Sequence, residues 1–220
     1  MTLYFDCSYG ASGDMLVGAL IDIGADFEII KEKLKNIPEV SEISVEKVEK
    51  SGVFATKFNV KFNSCREEYL TLIGKIEKLN LESGVEVLSK KILEKLAIAE
   101  SHAHGVKIKD VHLHEAADCI VDAISFSIAV HELKNKFNFK NIHCSTLGVG
   151  MTAPATDYII NSYKIPIRKI SDAEITTPTG AAILCAAVDK FVKGTKKYER
   201  RGFGAGYMDF CYPNVSGVFV

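Results

Sequence analysis

The segment LYFDCSYGASGDMLVGALIDIG, residues 3–24, decides the fold class of the chain. Its apolar opening, residues 3–5, is typical of a short strand, and Gly10 and Gly13 predict the tight turn that follows. Apolar residues then recur at helical spacing until Gly24, which is a common helix stop. A strand, a glycine-containing turn and a helix in this order favour an α/β domain.

The rest of the chain continues this succession of strand and helix signals. Residues 43–63 alternate apolar and polar side chains around the turn signal Ser51-Gly52, which predicts a β-hairpin. Further helices are predicted at about 27–37, 70–79, 85–99 and 115–133 and from about Pro154 and Pro178, and further strands at about 111–113, 141–149 and 215–220. We therefore predict one α/β domain over residues 1–220, with a mixed β-sheet flanked by helices and the hairpin as an excursion.

Charge and hydropathy exclude two classes of partner. The 220 residues include 27 Lys and Arg against 28 Asp and Glu, so the formal net charge is -1. Proteins that hold nucleic acid or anionic lipid by bulk charge carry a basic excess, so we predict neither a nucleic-acid nor a membrane partner. The longest apolar run, residues 181–188, is far shorter than the ~18 residues that cross a bilayer.

Six cysteines without a CxxC pair are typical of reduced thiols and predict a cytoplasmic protein.

Histidines are concentrated in one short stretch. His102, His104, His112 and His114 fall within thirteen residues, and Glu115 follows the last of them directly. Along a strand, residues two apart point to the same face, so His112 and His114 can offer two imidazoles to one ion. We expect His102 and the two later histidines to be surface residues.

Acidic side chains share one face of the helix that follows. Asp118 and Asp122 fall within about 60° of Glu115 at 100° per residue, and apolar residues occupy the opposite side. Because the acidic face becomes apolar after Asp122, we expect the three carboxylates to border the interior, where a cation relieves the cost of an unpaired charge. The first turn of a helix also favours carboxylates for structural reasons alone, and neighbouring histidines can simply donate hydrogen bonds to them.

The ligand types indicate which ions this stretch would bind. Imidazole and carboxylate together suit nickel, zinc, cobalt and iron, whereas magnesium usually binds without histidine. We predict a divalent-metal site with His112, His114 and Glu115 as its best ligands. The side chains expected to complete or orient this shell are Asp118, Asp122, Asp6, Asp14 and His104.

The loop between Asp6 and Asp14 joins a predicted strand to a predicted helix. It carries small residues, including Ser12 and Gly13, and backbone amides at such a junction can cradle an anion. Because Asp14 follows Gly13 where a Walker A loop has lysine, the two flanking aspartates better suit a metal or a sugar hydroxyl. A tight turn capped by Asp14 explains the loop equally well.

A second helix start has the sequence Thr177-Pro178-Thr179-Gly180. Thr177 is a typical cap, Pro178 suits the first turn, and Gly180 allows the close approach of an anionic ligand. Structure alone explains this pattern about as well. The predicted substrate-binding residues at the two helix starts are Ser12, Gly13, Thr177, Thr179 and Gly180.

Short motifs spaced along the chain resemble those of a known protein family. They are YFD and SGDM at residues 4–6 and 12–15, HG, VHLHE and IVD at 104–105, 111–115 and 120–122, PAT and TPTGAA at 154–156 and 177–182, and GFGAG and PNV at 202–206 and 213–215. Together they resemble the amino-terminal domain of the LarC family, the nickel-insertion proteins of nickel-pincer cofactor biosynthesis. The resemblance spans nearly the whole chain.

This resemblance implies a reaction, its cofactors and its partners. LarC proteins place Ni²⁺ into a pyridinium-3,5-bisthiocarboxylate mononucleotide, forming metal–sulfur bonds and a metal–carbon bond, and the insertion consumes CTP. The CTP site is associated with a carboxy-terminal domain, which this sequence does not include. The resemblance therefore implies a carboxy-terminal LarC domain as partner, either on a separate chain or in a part of the same protein beyond this sequence. The chain would then be the amino-terminal part of a CTP-dependent nickel chelatase of the lyase class.

The chain departs from the family pattern at two places. Between Gly150 and Pro154 it has three residues where the family has a longer stretch with a His-Gly pair, and the spacer between Glu115 and Asp118 is shorter than usual. Three other interpretations stay open. The chain could be a nickel carrier without catalysis, a metal-dependent phosphohydrolase with aspartates beside glycine turns, or a scaffold whose polar cluster is structural.

Overall fold

The computed structural model describes residues 1–63, 66–113, 115–194 and 198–220. Strands and helices follow one another along this part of the chain, as the opening segment predicts. In chain order they are β1 (Thr2–Asp6), α1 (Gly13–Ile23), α2 (Phe27–Leu34), β2 (Val40–Lys50), β3 (Val53–Phe62), β4 (Glu67–Glu68), α3 (Tyr69–Lys78), α4 (Ser83–His104), a 3-10 turn (Ile108–Asp110), β5 (His112–Leu113), α5 (Ala116–Phe137), β6 (Asn141–Cys144), β7 (Leu147–Val149), α6 (Pro154–Tyr163), β8 (Ile167–Lys169), α7 (Pro178–Ala187), β9 (Lys190–Phe191), β10 (Arg201–Ala205) and β11 (Val215–Phe219).

Seven strands form one mixed sheet in the order β2-β3-β10-β11-β1-β6-β9. On one side β1 pairs parallel to β6, which pairs parallel to β9, and on the other side β1 pairs antiparallel to β11. β11 pairs antiparallel to β10, and β10 pairs parallel to β3. The predicted α/β class and mixed sheet are therefore confirmed.

The predicted hairpin forms one edge of this sheet. β2 and β3 pair antiparallel, and Ser51 and Gly52 turn the chain with φ angles of 47° and 83°. Positive φ at both central residues matches the twist of the flanking strands. Because Thr56 pairs with Gly204, the hairpin continues the main sheet, and β3 contacts both α1 and α5.

Helix α5 is the central helix of the fold. Apart from Asp118, every residue from Ala116 to Val130 is buried, because α5 contacts α1, α2, α3, α4 and α7. A helix that is buried on all sides can carry a polar group only where a neighbouring element accommodates it. The buried carboxylate of Asp122 on α5 therefore has to be accommodated by the elements that pack against this helix.

Helix α1 lies directly on the sheet because glycines remove the side chains between the two. A methyl group at Gly204 of β10 would overlap the carbonyl oxygen of Met15, and one at Gly18 of α1 would overlap the carbonyl oxygen of Thr56. Only glycine permits such a close approach of one backbone to another. The start of α1 is thereby held at a fixed position relative to β10 and β3.

Several helix ends follow the predicted chemistry. Pro154 and Pro178 occupy the first turns of α6 and α7, and the Thr177 hydroxyl accepts a hydrogen bond from Gly180 N at 3.1 Å. Gly24 ends α1 with a φ of 121°. None of the helices in the described part of the chain combines the length and hydropathy needed to cross a bilayer.

The strand predicted at 141–149 is interrupted in the structure. β6 ends at Cys144, and β7 pairs with β8 in a separate two-stranded sheet. The Ser145 hydroxyl accepts a hydrogen bond from Cys7 N at 2.9 Å and donates one to the Thr146 carbonyl at 2.9 Å. These side-chain bonds replace sheet pairing at this point, which periodicity cannot indicate.

We expect Gly204→Ala to lower the free energy of unfolding by at least ~2 kcal/mol, because the added methyl group has to displace α1. Gly74→Ala in α3 is the matched control. Nothing lies within 4 Å of its added methyl group, and alanine favours a helix by about 0.5–1 kcal/mol over glycine. Urea unfolding followed by circular dichroism measures both variants, and equal unfolding free energies would contradict this account of the packing.

Candidate functional site

A cavity of about 590 Å³ lies where the starts of α1, α5 and α7 meet. Its polar side is formed by residues 12–14, by the start of α5 and by residues 177–179. Its other side is formed by β3 and by residues 206–208. Helix starts carry unpaired N–H groups and partial positive charge, so the polar side is a favourable place for acidic groups.

Three aspartates reach this cavity from two helices. Asp14 lies in the first turn of α1, and Asp118 and Asp122 lie one turn apart on α5, so all three side chains line the same space. The Asp122 carboxylate lies directly against Gly13, where an added methyl group would overlap it. Glycine at this position is therefore what allows a carboxylate of α5 to approach the start of α1.

Asp122 is the most deeply buried of these carboxylates. The residue is 4% exposed, and its carboxylate accepts no hydrogen bond from any residue that the structure describes. Burial raises its pKa well above the usual value, and the nearby Asp118 and Asp14 add to the rise. A carboxylate in this environment has to be either protonated or neutralised by a cation.

Asp118 and Asp14 are affected in the same way. Burial raises the pKa of Asp118 to about 7, and Asp14 and Glu115 contribute to the rise. Burial also raises the pKa of Asp14, although the Ser12 hydroxyl donates a hydrogen bond to its Oδ1. The Asp14 Oδ2 is buried and has no partner in the described chain. A divalent cation can displace protons from such a cluster.

Three glutamates extend the acidic lining. Glu115 directly precedes α5, Glu100 lies near the end of α4, and Glu174 lies in the loop before α7. Glu174 Oε1 is buried without a partner among the described residues, and Glu100 Oε2 lies 3.2 Å from His104 Nε2. No lysine or arginine is among the described residues that line the cavity. The lining is therefore strongly acidic.

The opposite side of the cavity is apolar. The alternate residues Phe58, Val60 and Phe62 of β3 line it, together with Leu96 of α4 and Leu113 of β5. Phe58 and the two leucines are buried, so the half-buried Val60 and Phe62 supply most of the accessible apolar surface. Aromatic and branched side chains of this kind suit the flat face of an aromatic ring. The cavity thus combines a surface for a ring with a surface for cations.

Tyr207 lies where these two sides meet. It belongs to the loop between β10 and β11, is 61% exposed, and has Lys57 Nζ 4.4 Å from its ring centroid. Burial of part of the side chain raises the Tyr207 pKa, and Asp14, Asp118 and Asp122 raise it further. Its phenol therefore stays protonated beside the aspartates.

The structure brings eight predicted site residues to the cavity wall. They are Ser12, Gly13, Asp14, Glu115, Asp118, Asp122, Thr177 and Thr179. Gly180 packs elsewhere, because a methyl group there would overlap the carbonyl oxygen of Ala11. Asp6 shapes the loop by accepting hydrogen bonds from the backbone N–H and the hydroxyl of Ser8, the former at 3.0 Å.

The predicted histidine ligands are not on this wall in the described chain. His104 is the last residue of α4, and His112 is exposed on β5, where it pairs with Glu68. His114 lies outside the described residues. Within residues 1–63, 66–113, 115–194 and 198–220, no three His, Cys, Asp or Glu side chains are arranged so that they could hold a metal ion. The full ligand set stays a prediction.

Sequence reasoning missed two of the acidic residues and the apolar side. Glu174 reaches the cavity because the next residue, Ile175, accepts a hydrogen bond from Ala11 N at 3.0 Å, which joins two distant segments. Phe58 and Phe62 reach it because the hairpin continues the main sheet. The alternating pattern of the hairpin indicated which side chains share a face of β3. No neighbouring residues in the sequence indicated which part of the protein that face contacts.

Comparison with known proteins shows which family the chain belongs to. Residues 3–220 match the family described as nickel insertion protein. The chain belongs to the nickel insertion protein family. The match includes every residue that lines the cavity. No solved structure is significantly similar to the chain.

Relatives in the nickel insertion family carry a more specific name. The chain is 34% identical to the pyridinium-3,5-bisthiocarboxylic acid mononucleotide nickel insertion protein of Staphylococcus epidermidis, over 98% of this chain and 58% of that protein. It is 34% identical to the protein of that name from Thermotoga sp., over 97% of this chain and 59% of that protein. It is 35% identical to the one from Clostridium kluyveri, over 99% of this chain and 61% of that protein. The chain thus spans about three fifths of the length of these relatives.

We expect the metal-free protein to lose stability as pH rises from about 4 to about 7, because folded Asp118 keeps a proton that unfolded Asp118 has lost. Asp118→Asn removes this loss, so the variant should gain roughly 3–4 kcal/mol relative to wild type at pH 8 compared with pH 4. Urea unfolding with a chelator present measures the difference at both pH values.

The matched control for this measurement is Asp172→Asn, which makes the same chemical change at a side chain that is 97% exposed. This substitution leaves Asp118 in place, so it should not remove the loss of stability expected from Asp118. A stability difference between wild type and Asp118→Asn that is the same at pH 4 and pH 8 would contradict the raised pKa of Asp118.

Proposed function

We propose that this chain binds Ni²⁺ in the acidic cavity and takes part in inserting it into a pyridinium-3,5-bisthiocarboxylate mononucleotide. The observation that carries the proposal is the buried carboxylate of Asp122, which lies near Asp14 and Asp118 without a hydrogen-bond partner in the described chain. Buried carboxylates this close together are stabilised by a cation. Relatives named for nickel insertion support nickel as that cation.

The three aspartates form the inner part of the proposed nickel site. In the described chain no three acidic, histidine or cysteine side chains are arranged so that they could hold a metal ion. We therefore propose that the three carboxylates move closer together when the ion binds. Glu115 lines the same cavity, and the predicted ligands His112 and His114 immediately precede it in the sequence. We propose that this segment supplies the remaining ligands, because imidazole and carboxylate together suit nickel.

The ligand chemistry suits an ion that is passed on. Carboxylate oxygens are hard ligands, whereas the thiocarboxylate sulfurs of the proposed acceptor are soft and bind ions such as nickel strongly. Protons also compete for carboxylates whose pKa is raised, as at Asp118 and Asp14, and this weakens their hold on the ion. Both effects favour transfer of nickel to the acceptor.

The apolar side of the cavity suits the ring of a pyridinium mononucleotide. In the proposed complex the ring packs against the half-buried Phe62, whose face attracts a cationic ring. The hydroxyls of Ser12 and Thr179 lie on the polar side and are the proposed contacts of the ribose or the phosphate. For this contact the Ser12 hydroxyl has to give up the hydrogen bond that it donates to Asp14. This arrangement directs the sulfur substituents of the ring towards the aspartates.

We propose that CTP is bound by a partner, a carboxy-terminal domain of the LarC type. This expectation comes from the family resemblance. The chain spans about three fifths of the length of its relatives, so the relatives are long enough to include such a domain. A cytoplasmic location, inferred from the spacing of the cysteines, also stays a prediction.

A nickel carrier without catalysis is the second candidate, because the carboxylates of the cavity would serve to hold the ion in a carrier as well. An insertion assay with and without a CTP-binding partner separates the two, since a carrier binds nickel and converts nothing in either case. A metal-dependent phosphohydrolase fits less well, because the relatives are named for nickel insertion. Phosphate release from a simple nucleotide with magnesium alone would favour it.

We expect wild-type protein to bind Ni²⁺ and Asp122→Asn to bind it at least ~10-fold more weakly, because the substitution removes the most buried negative charge of the cluster. Asp172→Asn should bind nickel like wild type, since Asp172 is exposed and outside the cavity. Isothermal titration calorimetry measures all three proteins. His112→Ala tests the predicted imidazole ligand in the same series. Unchanged nickel affinity in Asp122→Asn would contradict the proposed site.

A further inference from the structure

The phosphate group of the proposed acceptor needs a positive partner. Proteins usually hold phosphate with lysine, arginine or the free N–H groups of a helix start, and no lysine or arginine is among the described residues that line the cavity. The starts of α1 and α5 carry the carboxyl groups of Asp14 and Asp118, and the carboxyl group of Asp122 lies against Gly13. These groups compete with a phosphate for the N–H groups there. The edge of the cavity is therefore the more favourable place for the phosphate.

Lys57 of β3 lies at this edge. Its Nζ is 4.4 Å from the centroid of the Tyr207 ring, and Tyr207 lines the cavity although the residue is 61% exposed. This ring thus marks the place where the cavity opens to solvent, and the ammonium group lies directly beside it. The charge of Lys57 is also felt inside, because it lowers the pKa of Asp14 against the larger effect of burial.

Lys57 differs from the other lysines of the hairpin in its partner. Each of the other three forms an ion pair with a carboxylate; they are Lys47, Lys50 and Lys61. Lys57 forms no ion pair within the described residues, and its ammonium group contacts the Tyr207 ring instead. A contact with a ring face uses no hydrogen-bond acceptor, so the three N–H donors of the ammonium group stay available to a ligand.

The carboxylates nearest to Lys57 are engaged elsewhere. Glu46 is opposite Lys57 on β2, and its Oε1 accepts a hydrogen bond from Asn59 Nδ2 at 3.0 Å. Asp209 Oδ1 lies 2.6 Å from Lys50 Nζ. An anion from solvent therefore does not have to displace an existing ion pair in order to reach Lys57.

The hairpin also holds the Tyr207 loop in place. Lys50 Nζ donates hydrogen bonds to the carbonyls of Tyr207 and Met208, both at 3.3 Å, and the Ser51 hydroxyl donates one to the Phe210 carbonyl at 3.0 Å. Because the loop is fixed to the hairpin that carries Lys57, ring and ammonium group keep their relative positions. Groups that are already in place lose little conformational freedom when a ligand binds.

We infer that Lys57 binds the phosphate group of the pyridinium mononucleotide at the mouth of the cavity. This inference rests on the proposed function and assigns the residue that recognises the phosphate. With the phosphate at the mouth, the ring extends past Tyr207 towards Phe62 on the apolar side. The hydroxyls of Ser12 and Thr179 then serve the ribose.

Equilibrium dialysis with two probes tests this assignment. Nicotinate mononucleotide is a pyridinium mononucleotide, and nicotinate riboside lacks only the phosphate. A chelator is present throughout, because a bound metal ion itself attracts phosphate. We expect wild-type protein to bind the mononucleotide at least ~10-fold more tightly than the riboside. Equal affinity for the two probes, or no binding of the mononucleotide, would overturn the inference.

Lys57→Met removes the ammonium group and keeps a side chain of similar length. We expect this variant to bind the mononucleotide about 5–10-fold more weakly than wild type and the riboside equally well, so that the preference for the phosphate is lost. Lys57→Arg keeps the positive charge and should retain most of the preference.

Lys61→Met is the matched control, because Lys61 lies on the same face of β3 and loses the same charge. Its side chain is 75% exposed and its Nζ lies 2.7 Å from Glu42 Oε2, so the control should keep the wild-type preference. An equal loss of preference in both methionine variants would mean that only net charge matters, and the role of Lys57 would be refuted.

A nickel titration of wild type and Lys57→Met distinguishes failure of this inference from failure of the proposed function. If wild-type protein does not bind nickel, the proposed function itself is wrong. If both proteins bind nickel equally and Lys57→Met keeps the preference for the phosphate, nickel handling stands and only the role of Lys57 is overturned.

Discussion

The structure depends on the close contact between the carboxylate of Asp122 and the backbone at Gly13. A central helix that is buried on nearly all sides carries an acidic group into the interior, and only a glycine at the start of α1 leaves room for it. The partial positive charge of a helix start reduces the cost of this burial without removing it. The residual cost makes the cavity a place that favours cations.

The rest of the fold holds this contact in position. Glycines in α1 and β10 let the helix lie directly on the sheet, so the start of α1 cannot withdraw from α5 without breaking backbone contacts. The hairpin extends the same sheet and covers the cavity with the apolar face of β3. A site for a cation and a surface for a ring are therefore built from one continuous sheet and two helices.

Sequence patterns correctly predicted features that depend on residues close to one another in the chain. Helical periodicity placed Asp118 and Asp122 on one face, and both line the cavity. The Ser51-Gly52 turn also forms as predicted, and Pro154 and Pro178 occupy the first turns of their helices. Sequence patterns do not reveal contacts between distant segments of the chain. They therefore did not indicate that Glu174 and the apolar face of β3 line the cavity. The strand rule that paired His112 with His114 is untested, because His114 lies outside the described residues and His112 is exposed on β5. The geometry of a strand determines that side chains two residues apart point to the same side. It does not determine whether that side faces the cavity.

Anomalous diffraction at the nickel absorption edge, from crystals of the chain grown with Ni²⁺, tests the central claim most directly. The account predicts a nickel peak inside the cavity, at bonding distance from the carboxylate of Asp122 and next to those of Asp14 and Asp118. Nickel found only at exposed histidines such as His102, with the three carboxylates unliganded, would contradict it.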